Sequence, residues 1–459
     1  MASAYLHRTN GTATNSQKMT FSTWFKIGTG AAQKSLFGSV TGSGPYTQVK
    51  IMQLATHNNV FRFEASSIEG NAIDLKTNRV FRDPAAWYHL VVAIDTTQAG
   101  SSDRAKIYIN GVQETSFATS TYPTQNDTLD FSASGVVAQV MAYNNTEHWD
   151  GSFAHTHFID GLQYAASIFG ETDSTSGIWI AKTSPSVTYG NNGFFLKYAS
   201  GAITTDSSGN GNTMTQVGTM TTTKDSPDNN FCTMNPLEKN TNNTQAFSNG
   251  NNTAVITAGY APVGSTMSVS KGKWYVECHI DSTASSGDLN IMLGINGSYN
   301  DHGNNTLGYS ASAYGYYLYN GYMLNNNTGN SNTGGTQYVT SPGGGIVDDN
   351  KYWALALDCD NNKLYVRLDG TWLQSANPSS GTGGYSITAP ASTDWGCYRF
   401  ANGVYFGNTN TFKWNFGNGF FGTTSAGATN ADSDGYGVFK YSVPTGFKAL
   451  CTAQLATYG

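Results

Sequence analysis

The stretch AHTHFIDG, residues 154–161, sets His155 and His157 two apart with Asp160 just beyond. In a β-strand residues i and i+2 point the same way, so two imidazoles would share one face beside a carboxylate, the beginning of a metal site. A site needs a third and a fourth ligand, and by the same parity Asp160 falls on the opposite face. With Ala154, Thr156 and Phe158 taken as the inward face, both histidines are expected to face solvent or a neighbouring subunit, and no metal is assigned.

Oxygen-rich turns offer a second chemistry. In DCDNN, Asp358, Asp360 and Asn362 have the D-x-D-x-N spacing of a calcium loop, and Asp369 falls at position twelve. Position six is Lys363, where an EF-hand needs Gly, and no flanking helices are read. DSSGNGN (206–212) and DSDG (432–435) also carry oxygens suited to calcium, although turns use the same residues. No cofactor is assigned, and calcium stays open for the first half of the chain. There is no G-x-S-x-G elbow and no Walker-type phosphate loop.

The richest surface candidate is SASAYGYYLYNGYMLNNNTGNSNTGG (310–335). Aromatic faces stack on sugar rings, and Asn amides give and accept hydrogen bonds with hydroxyls. Tyr314, Tyr316, Tyr319, Tyr322, Asn325 and Asn326, with Trp372 further along, are therefore the candidate ligand-binding residues. The competing reading is a strand pair whose tyrosines alternate, some filling a core.

The elements that must position these residues are strands. In MTFSTWFKI, Met19, Phe21, Phe25 and Ile27 share one face, and Thr20, Ser22, Trp24 and Lys26 the other. WYHLVVAID (87–95) is apolar on both faces, as a central strand should be. KIYINGVQE is strand, Asn110-Gly111, strand, a hairpin signal. LQYAASIFG (162–170) is expected to form about two helical turns. Alternation is equally clear in KWYVECHI (273–280) and DLNIMLGI (288–295), and YWALALDCDNNKLYVRLDGTWLQ reads as three strands with turns at Asn361-Asn362 and Asp369-Gly370. A polar, Asn-rich seam over 225–253 separates the two halves, giving domains 1–232 and 233–459, each large enough for a two-sheet core.

The 459 residues carry few charges, 12%, and a net charge of −6. Residues 1–232 hold 14 basic and 17 acidic groups and the rest hold 10 and 13, so no basic stripe exists to bind nucleic acid. MASAYLHRTNG has no apolar h-region, and the longest apolar run, near GVVAQVMAY, is far short of a membrane span, so a soluble protein without membrane insertion is expected. Five cysteines without a CxxC argue against a disulfide framework or zinc site, and Cys278 and Cys359 read as small core residues.

The order FSTWFK (21–26), WYHLVVAID, KIYINGVQ, HFIDG (157–161), GETD (170–173), YGNNGFFLKY (189–198) and DSSGNGN resembles the laminin G/concanavalin A-like lectins. It is especially similar to the lectin-like module of tailed, marine-type bacteriophages, with DSPDNNFCTMNPL (225–237) resembling their connector. DSSGNGN often opens such a domain but here comes late, which leaves open whether 190–220 closes it. The second half resembles a SPRY domain through KGKWYVECHI (271–280), MLGI (292–295), KYWALALDCDNNKLYVRLDGTW (351–372) and TFKWNFG (411–417), and VPTGFKALCTAQL (443–455) is similar to phage versions. The resemblance implies an all-β fold of two tandem antiparallel β-sandwiches, jelly-roll and concanavalin A-like, then SPRY-like. For SPRY domains it implies binding through loops at one end, here around 299–305, 325–345 and 373–385.

The concanavalin-like fold also raises glycan hydrolysis, which needs two carboxylates roughly 5–10 Å apart across the scissile bond. No glutamate has such a partner: Glu64 and Glu69 are five apart and would leave a strand on opposite faces. The expectation is a non-enzymatic phage virion structural protein, a tail fibre, spike or capsid decoration, mediating host-surface or glycan attachment. The alternative is a free carbohydrate-binding adhesin, and third a glycan hydrolase. The implied partners are other virion proteins and a host-surface glycan or receptor. With no shaft repeats, a closed homo-oligomer such as a trimer is expected at the virion surface, after assembly in the host cytoplasm.

Overall fold

The computed structural model describes residues 4–28, 33–40, 46–52, 59–238, 245–257, 262–282, 291–299, 305–318, 321–326, 336–337, 350–404 and 409–459. The chain divides into two compact units, Met1–Thr222 and Thr223–Gly459. The division precedes the Asn-rich seam because Phe231, Cys232 and Met234 are buried in the cores of the second unit. Among the described residues no helix is long and apolar enough to cross a membrane.

Among the described residues the first unit is a sandwich of an eight-stranded and a six-stranded sheet. The larger runs Phe117–Thr121, Ala72–Val80, Val60–Ser66, Tyr46–Met52, Gln33–Val40, Val137–Val140, Tyr5–Thr9, Thr215–Val217; the smaller runs Phe194–Leu196, Gly151–Asp160, Lys18–Ile27, Trp87–Asp95, Ala105–Ile109, Val112–Gln113. Described strand pairs in both sheets are antiparallel. Alternation explains the core: Phe21, Phe25, Phe61, Phe63, Leu75, Leu90, Val92 and Phe158 all point between the sheets. The strands Phe194–Leu196 and Thr215–Val217 join opposite sheets, so residues 190–220 do close this unit. The hairpin at Asn110-Gly111 forms as read, with φ of +48° and +81° at its two turn residues.

A third layer covers the outer face of the six-stranded sheet. Residues 162–190 lay Ala166, Phe169, Trp179 and Ala181 over Trp24, Trp87, Val91, Ala93 and Ile159. Trp87–Asp95 is apolar on both faces for this reason. The helix expected at 162–170 shrinks to one 3-10 turn, Ala166–Ile168, because the segment is shaped by packing onto the sheet rather than by its own hydrogen bonds.

Among the described residues the second unit pairs a nine-stranded sheet with a six-stranded one. The strands Lys273–Ser282, Lys351–Asp358, Lys363–Leu368 and Asn410–Asn415 form the centre of the first, and Ile291–Asn296, Ala313–Tyr317 and Arg399–Val404 the centre of the second. Trp274, Trp353, Trp414 and Phe412 fill the space between them. The outer face of the larger sheet is covered by the C-terminal segment, where Phe439, Phe447 and Ala449 pack on Tyr275, Ala354, Ala356 and Tyr365. Glu277, 1% exposed, pins that segment: Lys440 N and Tyr441 N donate to its carboxylate at 2.8 and 2.9 Å, and Tyr275 Oη donates at 2.9 Å. The five cysteines are free, and Cys278 and Cys359 are buried as expected.

Phe158 sits at the junction of three rings, stacked on Phe37 and Phe194 and edge-on to Phe131. Phe158→Ala should destabilise the first unit by about 3–5 kcal/mol, read as a lowered urea midpoint, while the transition of the second unit stays put.

Candidate functional site

The eight-stranded sheet keeps an outer face of its own, and there polar side chains line up in register. Pairing puts His7 opposite Gln139, Gln139 opposite Gly38, Gly38 opposite Gln48, Gln48 opposite Glu64, and Glu64 opposite Asp74. A second row runs Ser35, Lys50, Arg62, Lys76. Alternation forces this: where Val49, Phe61, Phe63, Ile73 and Leu75 point inward, their neighbours must point out.

Gly38 breaks the first row for a reason. A Cβ there would lie 2.7 Å from the Tyr143 ring and 3.1 Å from Ala142 O. Its absence lets residues 142–148 lie against the sheet as a wall. That wall bends through positive φ at Asn144, Asn145 and Glu147 and is tied down by specific bonds. Ser35 N donates to Glu147 O and Ser35 Oγ to Glu147 Oε2, both at 2.9 Å, and Gln48 Nε2 also donates to Glu147. Gln139 exchanges bonds with Asn145, which also accepts from Tyr5 Oη.

Rings frame the floor. Tyr46 meets Tyr143 edge-on at 6.3 Å, and Tyr5 stacks on His148 at 5.6 Å. The charges are internally balanced. Lys50 bonds Glu64 at 2.7 Å, Arg62 reaches Glu64 at 3.0 Å, and its Nε and Nη2 grip both Asp74 oxygens at 2.8 Å. Burial, then the nearby Glu64 charge, pushes the Tyr46 hydroxyl up to about 12. These carboxylates are held as partners of cations and amides, which fixes them as oriented acceptors. Half-buried rings beside oriented amides, carboxylates and a guanidinium suit the apolar faces and hydroxyl edges of a sugar.

The residues singled out from sequence lie elsewhere. Tyr314 and Tyr316 are core side chains of the second unit, not sugar platforms: Tyr314 packs on Tyr385 and Tyr398 and shares bonds with Thr388, and Tyr316 packs on Trp353. Their strand, Ala313–Tyr317, is buried at every position, so no tyrosine in it is left to stack on a ligand. Tyr322 is half-buried against the smaller cluster around Tyr317, and Tyr319 lies outside the described residues. Asn325 is a structural clamp whose Nδ2 donates to Ala311 O and Ala313 O at 3.0 and 2.9 Å. Asn326 is exposed with φ +58°, and Trp372 is half-buried beside Arg367. Most of the binding loops expected at 299–305 and 325–345 lie outside the described residues.

The three calcium candidates are turn staples. Asp206 accepts from Phe195 N, Ser208 N, Ser208 Oγ and Asn212 N. Asp432 accepts from Asp434 N, Tyr436 N, Ala449 N and Gln454 Nε2. Asp358 accepts from Asp360 N and Asn361 and pairs with Lys273 at 3.0 Å. Oxygens aimed at N–H donors are not arranged around a cation.

The histidines are also corrected. A bulge between Ala154 and His157, with His155 at φ +47°, resets the parity of the strand. His157 is 1% exposed, stacked on Phe195 at 3.9 Å and bonded to Tyr189 Oη at 2.9 Å beneath the covering layer. Asp160 accepts from Thr14 N and Asn192 N and closes loops instead of meeting the imidazoles. His89 joins the same buried layer: Trp179 Nε1 donates to its Nδ1 at 3.0 Å, so the ring proton sits on Nε2 and goes to Ser22 Oγ at 2.9 Å. A serine nucleophile needs the reverse polarity, so Ser22–His89 is a structural pair.

Residues 2–169 match the family described as the concanavalin A-like lectin/glucanases superfamily, and the first unit has that laminin G-type lectin fold. No curated protein matches the chain in sequence. Among solved structures it is similar to the SPRY domain of human HERC1 (13% identity, covering 39% of this chain and 96% of that one, TM-score 0.29). It is similar also to a heptameric SAP-like pentraxin from Limulus polyphemus (10%, 40% and 87%, 0.28) and to the carbohydrate binding module CBM66 from Bacillus subtilis (14%, 39% and 91%, 0.24).

Two buried groups give the first unit opposing responses to acid. Burial, reinforced by His155, lowers His89 to about 3, so its contribution is full above the ordinary histidine value and is lost as pH falls below it. Burial raises Asp130, 1% exposed, to about 7, so its contribution grows as pH falls from 7 toward the unfolded carboxylate value. Between pH 7 and pH 5 each is worth about 2 kcal/mol, with opposite sign. His89→Gln should flatten the acid loss of stability by that amount and Asp130→Asn should steepen it, measured by urea unfolding at the two pH values.

Proposed function

We propose that this chain is a carbohydrate-binding protein without catalytic turnover, whose first unit reads a glycan on the outer face of its eight-stranded sheet. The observation that carries the reading is the in-register, half-buried set of Arg62, Glu64 and Asp74, framed by Tyr46 and Tyr143 and held from beneath by the buried Gln48 and Lys50. The lectin-type fold of residues 2–169 supports it. A retaining or inverting hydrolase needs one carboxyl that arrives protonated opposite a second. Here Glu64 and Asp74 are both engaged by Arg62.

Within that reading the chain works as a displayed component of a tailed-phage particle, a fibre, spike or capsid decoration, that attaches it to a host-surface glycan. The support is the order of sequence motifs across both halves. A closed homo-oligomer would multiply weak single-site contacts into useful avidity.

A glycan array probed with the full chain should give hits that weaken about tenfold in Tyr46→Ala and in Arg62→Ala, with cooperative melting retained. Equal binding by both variants would remove the site from this face. Release of reducing ends from a bound polysaccharide would overturn the non-catalytic part.

A further inference from the structure

We propose that the second unit carries a separate site for a saccharide bearing carboxylate or sulfate groups, formed by Tyr352, Arg367, Trp372, Lys440 and Tyr441. The site is independent of the first-unit face.

Rings and cations alternate along it. The Arg367 guanidinium lies 5.1 Å from the Trp372 ring centre and 4.9 Å from that of Tyr441. Lys440 Nζ lies 4.2 Å from the Tyr352 ring centre and 5.8 Å from Tyr441. All five side chains are half-buried, so each keeps an accessible part. The tight turn at Asp369-Gly370 returns Trp372 opposite Arg367 on the neighbouring strand. At Gly370 a Cβ would stand 3.1 Å from the Tyr441 ring, so that ring lies directly on the turn. Glu277 holds the Lys440 and Tyr441 backbone from beneath. The strip is therefore pre-organised on a strand, a hairpin and an anchored segment.

Its charge is only partly balanced from within. Asp369 pairs with Lys351 at 3.1 Å. Glu277 feels the Arg367 charge, but its oxygens are taken by Tyr275 and two backbone N–H groups. The Arg367 side chain itself meets neutral oxygens: Nη1 donates to Ser442 O at 3.0 Å, the Tyr275 hydroxyl is a second partner, and Nε is covered without an acceptor. Lys440 Nζ meets the Tyr352 and Tyr441 rings. Two cations beside one tyrosine ring, at 4.9 and 5.8 Å from its centre, sum their positive potential there, and an anion seated against both gains from each. Flat rings on either side supply stacking for the sugar that carries it. Single-stranded nucleic acid uses rings and cations too, but it needs a longer cationic track, and Asp369 with the chain's net charge of −6 opposes one.

The test titrates the full chain calorimetrically with trigalacturonate, with a sulfated trisaccharide, with neutral maltotriose and with an oligothymidylate, at about 20 mM and about 300 mM salt. At least one acidic sugar should bind at low salt and weaken with added salt. Its affinity should fall roughly tenfold or more in Lys440→Gln and in Arg367→Gln, and be unchanged in Tyr46→Ala. Arg367→Lys keeps the charge and most of the packing, and it should lose affinity even where Arg367→Gln fails to fold. The proposal is overturned if neither acidic sugar binds, if folded Lys440→Gln binds as well as the parent, or if an oligothymidylate binds more tightly than both acidic sugars.

Discussion

The six-stranded sheet of the first unit is buried on both faces, and this constraint decides where binding chemistry can stand. One face meets the larger sheet through Phe21, Phe25 and Phe158; the other is roofed by residues 162–190 through Phe169 and Trp179. Polar groups caught under the roof must find partners inside it, as His89 does with Trp179 and Ser22, and His157 with Tyr189. Among the described residues the outer face of the eight-stranded sheet is met by the short wall of residues 142–148, tied to Ser35, Gln48 and Gln139. That is where a floor of charged and amide side chains survives, with Tyr46, Arg62, Glu64 and Asp74 half-exposed.

Buried and half-buried carboxylates do much of the stitching. Asp160, Asp206, Glu277, Asp358 and Asp432 each accept from two or more backbone N–H groups. A chain made of short strands and long turns leaves many N–H groups without a ladder partner, and a carboxylate satisfies several at once. This is why loop acids that look like metal ligands in the sequence turn out to be staples: the same short Asp- and Asn-rich spacing serves an Asx turn and a cation loop.

Strands were legible wherever one or both faces had a regular pattern, as in Lys18–Ile27, Trp87–Asp95 and Lys273–Ser282. What parity could not reveal was the layer above a strand. His157 reads as exposed because nothing local announces the bulge at His155 or the roof supplied by residues 162–190. Tyr314 and Tyr316 read as surface for the converse reason, since a tyrosine-rich strand buried on both faces has the composition of a binding loop. The floor of the candidate site was invisible for another reason. Its members come from strands between Tyr5 and Val140, and each strand, such as VFRFEAS (60–66), shows an ordinary polar face until pairing brings those faces into one row.

The two surfaces differ in how their charge is settled, and that difference implies different ligands. On the first unit Lys50 and Arg62 are neutralised by Glu64 and Asp74 before any ligand arrives. An anionic ligand would have to displace these carboxylates from their cations, whereas a neutral sugar adds hydrogen bonds to a network already in place. On the second unit Arg367 and Lys440 are packed against rings, with the nearest acids bonded elsewhere. A neutral sugar there would stack but leave the positive potential of the cations unused, while an acidic one would gain from both. On the two proposals, selectivity between neutral and acidic saccharides would follow from where each unit keeps its carboxylates, with no difference in sheet architecture required.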